Sequence, residues 1–135
     1  MRHPDWEKRL VAVTEAHINT PLVWGQSDCL LTVADAIEAV TGEDPAKDIR
    51  GKYKSKVGAY RLIKKQGFSD LVGVFTDRYE TVPVALAARG DAGIFVNEAG
   101  DQTAGYFCEY GFAVKGEEGL RLLPRMMATH AFRIG

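Results

Sequence analysis

The chain has little sulfur, with only two cysteines among 135 residues, and it has no long apolar run. Cys29 and Cys108 lack the spacing of a zinc site, and nothing else indicates a fold built on disulfides. We therefore expect two free thiols, no metal and no cofactor. No apolar stretch approaches the roughly 20 residues of a transmembrane helix, and the first residues have no signal-peptide core. These absences predict no membrane span and a protein made in a cytoplasm, either retained there or carried out within a larger assembly.

An excess of charge of one sign is also missing, since 17 basic and 18 acidic side chains give a net charge of −1. A chain without bulk positive charge has no long-range attraction to nucleic acid or anionic membranes. One local run is basic, however, and consists of Lys52, Lys54, Lys56, Arg61, Lys64 and Lys65. We interpret this run as a solvated helix face, with a nucleic-acid site as the less favoured alternative, and expect no nucleic-acid partner.

The order of the predicted elements indicates one α+β domain covering residues 1–135. Apolar periodicity and capping residues predict helices over about 5–18, 28–42, 56–66 and 70–79. Short β segments then follow at 91–96, 104–109, 111–115, 120–123 and 130–134. The connectors at 83–88 and 126–128 are each expected to form one helical turn. Helices followed by a meander of strands predict an antiparallel sheet with the helices packed on it.

The stretch from Val23 to Gly42 predicts an ordered loop that runs into a buried helix. Ser27 and Asp28 are good N-cap residues, because their side-chain oxygens accept the unpaired N–H groups of the first turn. Gly42 is a natural helix stop, since glycine tolerates the left-handed conformation. Nearly every position between the caps is apolar, which predicts a helix covered on several sides. Cys29 falls in the first turn of this helix.

A cysteine at a helix start has two interpretations that the local sequence leaves open. The positive end of the helix dipole favours the thiolate, which is the nucleophilic form of the side chain. A small buried cysteine that only packs is the alternative, because free cysteine is among the most buried residue types. Asp28 opposes thiolate formation unless its carboxylate is engaged in capping the helix.

Two segments together resemble the NlpC-type papain-like cysteine peptidases: Trp24-Gly25-x-x-Asp28-Cys29 opening a helix, and Arg89-Gly90-Asp91 opening a strand hairpin. The similarity is closer to a phage and prophage offshoot of that family, and it extends from about residue 24 to the end. The shared features are Trp24-Gly25, Asp28-Cys29, Ala34-Asp35, Thr41-Gly42, Asp44-Pro45-Ala46, Arg50-Gly51-x-Tyr53, Arg89-Gly90-Asp91, Ala104-Gly105, the turn from Gly119 to Pro124 and the last strand, 131–134.

The resemblance implies a papain-like fold, with a central Cys-bearing helix packed on an antiparallel sheet and Cys29 as the nucleophile. It also implies a base on the strand after Asp91, where the peptidases have a histidine. Here Thr103, Ala104 and Gly105 occupy that place, and none of them accepts a proton at neutral pH. His130, in the last strand, is the remaining late histidine. It is either a base in a non-standard position or a hydrogen-bonded histidine of the sheet.

The same comparison predicts a cleft around the thiol. Its expected lining residues are Trp24, Gln26, Asp28 and Thr103. Gln26, three residues before the cysteine, is a candidate oxyanion-hole donor or a cap of its own loop. Cys108 lies in a predicted strand and is expected to pack in the core. His17, near the end of the first helix, is interpreted as a surface or capping histidine, with a catalytic role as the less favoured alternative.

Three functional hypotheses follow. The first is a structural protein of a phage or prophage particle, in tail assembly or at the tail tip, with other tail proteins as partners and the virion as its location. The second is an active cysteine hydrolase that cuts peptidoglycan peptides with Cys29 and His130. The third is a module that binds a cell-wall peptide or a partner without cleaving it. The incomplete catalytic set favours the first hypothesis.

Overall fold

Four α-helices precede all six strands in the computed structural model, which describes residues 1–135. They are α1 (Trp6–His17), α2 (Cys29–Thr41), α3 (Lys56–Lys65) and α4 (Leu71–Arg78). All four agree closely with the predicted ranges. Asp70 caps α4, and its carboxylate accepts the N–H of Gly73 at 2.8 Å.

Six strands form a single antiparallel sheet, which confirms the α+β prediction. They are β1 (Thr81–Val82), β2 (Ala92–Val96), β3 (Gln102–Cys108), β4 (Gly111–Lys115), β5 (Leu120–Leu123) and β6 (His130–Phe132). Their order across the sheet is β1-β6-β2-β3-β4-β5. Strand β1 was not predicted, because two residues are too few to show alternation. The two expected helical turns are 3₁₀ turns at Val84–Leu86 and Arg125–Met127.

The sheet separates a large core from a small one. The large core lies between the helices and one face of the sheet, and Val33 and Val40 of α2 are buried there against Ile94 and Tyr106. The small core, on the other face, is centred on Phe107 and Phe112, whose ring centroids are 5.1 Å apart. Since apolar burial drives folding, α2 and the strands beneath it form the rigid frame of the molecule.

Helix α2 begins and ends where its capping residues predict. The Asp28 carboxylate accepts the N–H of Leu31, and Gly42 ends the helix in the left-handed conformation with its N–H bonded to the Glu38 carbonyl. Ser27 does not cap the helix. Its hydroxyl instead donates to the Pro21 carbonyl at 2.6 Å and so shapes the preceding loop.

The loop before α2 is locked against the segment that precedes α3. Gly25 has a φ of +84°, and a Cβ there would lie 2.1 Å from the Tyr53 carbonyl oxygen. The Gly25 carbonyl also accepts the N–H of Gly51 at 3.0 Å. Only glycine fits this crossing, because any side chain would collide with the backbone of residue 53. The crossing therefore sets where the first turn of α2 starts.

We expect Gly25→Ala to lower the free energy of unfolding by about 3 kcal/mol, since strained backbone and a main-chain collision add together. Gly67→Ala is the matched control, because Gly67 also has a left-handed φ (+96°) but a Cβ there meets nothing within 4 Å. The control should lose only about 1 kcal/mol. Urea unfolding of both variants measures the difference, and equal losses would contradict the proposed collision.

Candidate functional site

Asp28, immediately before the candidate nucleophile, is completely buried and accepts three hydrogen bonds. Oδ1 accepts from the Leu31 N–H at 3.0 Å, and Oδ2 accepts from the Gly25 N–H at 2.8 Å and from the Tyr53 hydroxyl at 2.7 Å. Burial raises the pKa of Tyr53, and the hydrogen bond to Asp28 raises it further, so the phenol remains a donor. The carboxylate thus ties the helix start to two loops, and its three donors leave it no role as the proton acceptor of the thiol.

The Cys29 thiol is predominantly protonated at neutral pH. Burial raises its pKa from 9.0 to about 11, and the neighbouring Asp28 charge adds to the shift. The backbone N–H groups of Ala104 and of the first turn of α2 lower the pKa but do not offset burial. Desolvation of the charged form therefore outweighs the stabilisation that a helix start offers a thiolate.

No histidine forms a hydrogen bond with Cys29. The His130 Nδ1 pairs with the Thr129 hydroxyl at 2.9 Å, which corresponds to a hydrogen-bonded histidine of the sheet. Ile94 of β2 pairs with His130 on one side and with Ala104 on the other. Two strand spacings of about 4.8 Å therefore separate His130 from the backbone that contacts the thiol, roughly 10 Å in all. In this arrangement the thiol lacks a proton acceptor.

Of the remaining predicted cleft residues, Thr103 lies on the face of the sheet away from the helix that bears Cys29. Ala104 faces the helices, whereas Thr103 is on the opposite face, where its partner Phe95 packs against the small core. Gln26 is exposed. Trp24 packs against a cluster that includes Tyr53. Of the predicted cleft residues, Asp28 directly precedes Cys29, and its charge raises the pKa of the thiol.

A buried charge network involving His17 was missed by the sequence reasoning. His17 is only 8% exposed, so its interpretation as a surface histidine is wrong. Its Nε2 lies 2.7 Å from Asp35, and its Nδ1 lies 2.8 Å from the Lys115 ammonium. Because an ammonium only donates, Nδ1 accepts and Nε2–H donates to the carboxylate. Asp35 also accepts from Arg50, which bonds to Asp44.

This network joins α1, α2, β4 and the loop before α3, and it serves the fold. Lys115 also donates to the Thr20 carbonyl at 2.7 Å, and burial lowers its pKa. Asp35 lies six residues along α2 from Cys29, about 9 Å along the helix axis. The imidazole of His17 is therefore committed to Asp35 and Lys115 at a distance from the thiol.

The Gly90-Asp91 segment also has a structural role. Asp91 is 1% exposed and accepts from Arg2, from the Ala88 N–H and from the Ile134 N–H. Arg2 also donates to the Arg89 carbonyl and lies over the Trp6 ring. The aspartate that the resemblance places before the catalytic strand thus fastens both ends of the described chain to the sheet.

The fold and site define an α+β domain with a protonated cysteine at the start of a buried helix and no imidazole bonded to it. The family described as "Domain of unknown function (DUF6950)" matches residues 1–134, and the chain belongs to this family. Neither a curated protein nor a solved structure matches the chain. None of the helices has the length and apolarity needed to cross a bilayer.

We expect alkylation of Cys29 by iodoacetamide to be slow at neutral pH and to rise about tenfold per pH unit until about pH 11. A thiol whose pKa is raised from 9.0 to about 11 has about a hundredfold less thiolate than an ordinary cysteine at neutral pH. Peptide mapping by mass spectrometry measures the rate at Cys29, with a short cysteine peptide as the control. A fast rate that is constant through neutral pH would reveal a thiolate and contradict this description.

We expect Asp35→Asn to lower the free energy of unfolding at pH 7 by about 1.5 to 3 kcal/mol, because His17 and Arg50 lose a charged acceptor. Burial opposes ionisation of Asp35, but the His17 hydrogen bond and Arg50 hold its pKa below the ordinary value. The contribution of ionised Asp35 to the free energy of unfolding is therefore present above about pH 4 and is lost as the pH falls through the folded-state pKa.

The acid dependence of unfolding should accordingly be shallower in Asp35→Asn than in the wild type. Asp77→Asn, at an exposed position of α4, is the control and should follow the wild type. Urea unfolding between about pH 3 and pH 7 tests both variants, and identical acid profiles for Asp35→Asn and wild type would refute the role of the network.

Proposed function

We propose that this chain is a virion-associated structural protein of a phage or prophage, acting in tail assembly or at the tail tip. In this proposal it is made in the bacterial cytoplasm, joins other tail proteins there, and retains a degenerate papain-like scaffold of the NlpC type. The assignment to a phage or prophage particle is supported by the resemblance carried by Trp24-Gly25-x-x-Asp28-Cys29 and Arg89-Gly90-Asp91. The support for a structural role comes from the site itself.

The observation that carries the proposal is the environment of the Cys29 sulfur. Attack on an amide needs a thiolate, a positioned base and a proton donor for the leaving amine. The thiol pKa of about 11 disfavours the first. His130 is hydrogen-bonded to Thr129 two strands away, and His17 lies between Asp35 and Lys115. His130 and His17 thus form their hydrogen bonds with other residues and not with the thiol.

A second support is the use of the polar residues that carry the resemblance. Asp28, Tyr53 and Arg50 hold the loops around α2, and Asp91, just before β2, holds the segment at Ile134. These buried and half-buried groups are hydrogen-bonded to one another or to the main chain, which stabilises the fold and leaves none of them poised toward a substrate. The simplest account of this arrangement is a papain-like fold that has been retained without peptidase activity.

The enzymatic alternative is tested with purified peptidoglycan and mass spectrometry of the released fragments. We expect wild type and Cys29→Ala to release no more material than buffer alone. Release by the wild type that is lost in Cys29→Ala would overturn the proposal in favour of a hydrolase, and His130→Gln would then test the base. Cosedimentation with peptidoglycan without release of fragments would overturn it in favour of a binding module.

The particle assignment is tested by deleting the gene from the phage or lysogen that encodes it. We expect a tagged copy to sediment with purified particles, and the deletion to yield particles whose tails are absent or malformed in electron micrographs. Complementation with Cys29→Ala should restore normal tails as well as the wild type does. Intact tails after deletion, or a protein absent from the particles, would overturn the assignment.

A further inference from the structure

The charge of this nearly neutral chain is strongly segregated. Residues 52–66 contain six basic and no acidic side chains, so the rest of the chain carries 11 basic and 18 acidic residues, a net charge of −7. The basic residues of this segment are all exposed. Only Lys56 forms an ion pair, at 3.5 Å from Asp101. We call the exposed side of α3 that bears Lys56, Arg61, Lys64 and Lys65 the basic face of α3. Val57 lies among these residues and is 66% exposed.

An apolar groove with an acidic rim lies between α1 and the turn that joins β3 to β4. Its volume is about 350 Å³. Four of its lining side chains are exposed apolar or aromatic residues: Val11 (41%), Ile18 (44%), Tyr110 (68%) and Leu122 (41%). Leu122 belongs to β5, which is an edge strand, so no further strand covers the groove on that side.

The rim of this groove has an unbalanced negative charge. Glu7, Glu15 and Glu109 line it, and the one cation among the lining residues is Arg89. Arg89 pairs with both Glu7 and Glu109, at 3.7 Å from the latter, while Glu15 has no ion-pair partner. The rim therefore has a net charge of −2 around an apolar floor, which suits an apolar side chain surrounded by basic ones.

The basic face and the acidic groove lie on nearly opposite flanks of α2. Ala59 of α3 shares a buried cluster with Ala34 of α2, whereas α1 lies beside Ala39 of α2. Five residues at 3.6 per turn place Ala34 and Ala39 about 140° apart around the helix axis. A contact between the two patches is thus impossible within one molecule and requires a second one.

We propose that copies of this chain associate head to tail, with the basic face of α3 on one copy seated in the acidic-rimmed groove of the next. Val57 enters the apolar floor between Val11 and Tyr110, while Arg61 and Lys64 meet Glu15 and Glu109. Because the two surfaces differ, the interface is heterologous and each added copy leaves one groove and one basic face open. This inference is independent of the proposed function, since it uses no residue of the Cys29 site.

Sedimentation velocity of the wild-type protein gives the first test. We expect species larger than the monomer at about 0.02 M salt, growing with protein concentration, and their dissociation at about 0.5 M salt, where charges are screened within a few ångströms. Arg133→Glu, an equal change of charge at an exposed position outside both patches, should associate like the wild type. A wild-type protein that remains monomeric at low salt would overturn the proposal.

Two complementary variants give the decisive test. Val57→Asp with Arg61→Glu disables the basic face, and Glu15→Lys with Tyr110→Ser disables the groove. Each variant alone should be monomeric, and their mixture should form a dimer that grows no further, because one intact surface of each kind remains. A mixture that stays monomeric, or a variant that associates by itself, would overturn the heterologous contact. If circular dichroism shows that a double variant is unfolded, the single exposed substitutions Arg61→Glu and Glu15→Lys replace it, with the same two outcomes.

Discussion

The buried carboxylate of Asp28 is the interaction on which the rest of the structure depends. It accepts from the first turn of α2, from Gly25 and from the Tyr53 hydroxyl, and so fixes one helix and two loops at a single point. A buried charge is tolerated only when its hydrogen-bonding capacity is satisfied, and three donors satisfy this one. Because α2 lies between the sheet, α1 and α3, the position of its first turn determines how every other element packs.

The burial that stabilises the start of α2 also lowers the nucleophilicity of the Cys29 thiol. A helix N-terminus lowers a thiol pKa when the sulfur remains hydrated or has a cationic neighbour. Here the neighbour is anionic and the sulfur is desolvated, so the balance reverses for Cys29. Stability of the fold is favoured by burial of this position, whereas a nucleophilic thiolate requires a hydrated sulfur. The arrangement of Asp28 and Tyr53 favours stability.

Local capping and periodicity were sufficient to predict the four helices, five of the six strands and the antiparallel α+β class. Asp28 and Gly42 act through bonds to residues three or four positions away, which a sequence displays directly. The role of His17 was not predictable in this way, because its partners Asp35 and Lys115 are distant in sequence and only the fold brings them together. Strand alternation placed Thr103 on the wrong face for a cleft, and that orientation depends on register, which a single strand does not reveal. The papain-like and phage assignments stay proposals.

The protonated state of the two cysteines has a consequence for the environments that the protein tolerates. Oxidation by peroxide proceeds through the thiolate, so its rate follows the thiolate fraction of each cysteine. Burial raises the pKa of both Cys29 and Cys108, and the two thiols lie in different parts of the fold. Both cysteines are therefore expected to form sulfenic acid slowly at neutral pH, in air as well as under reducing conditions.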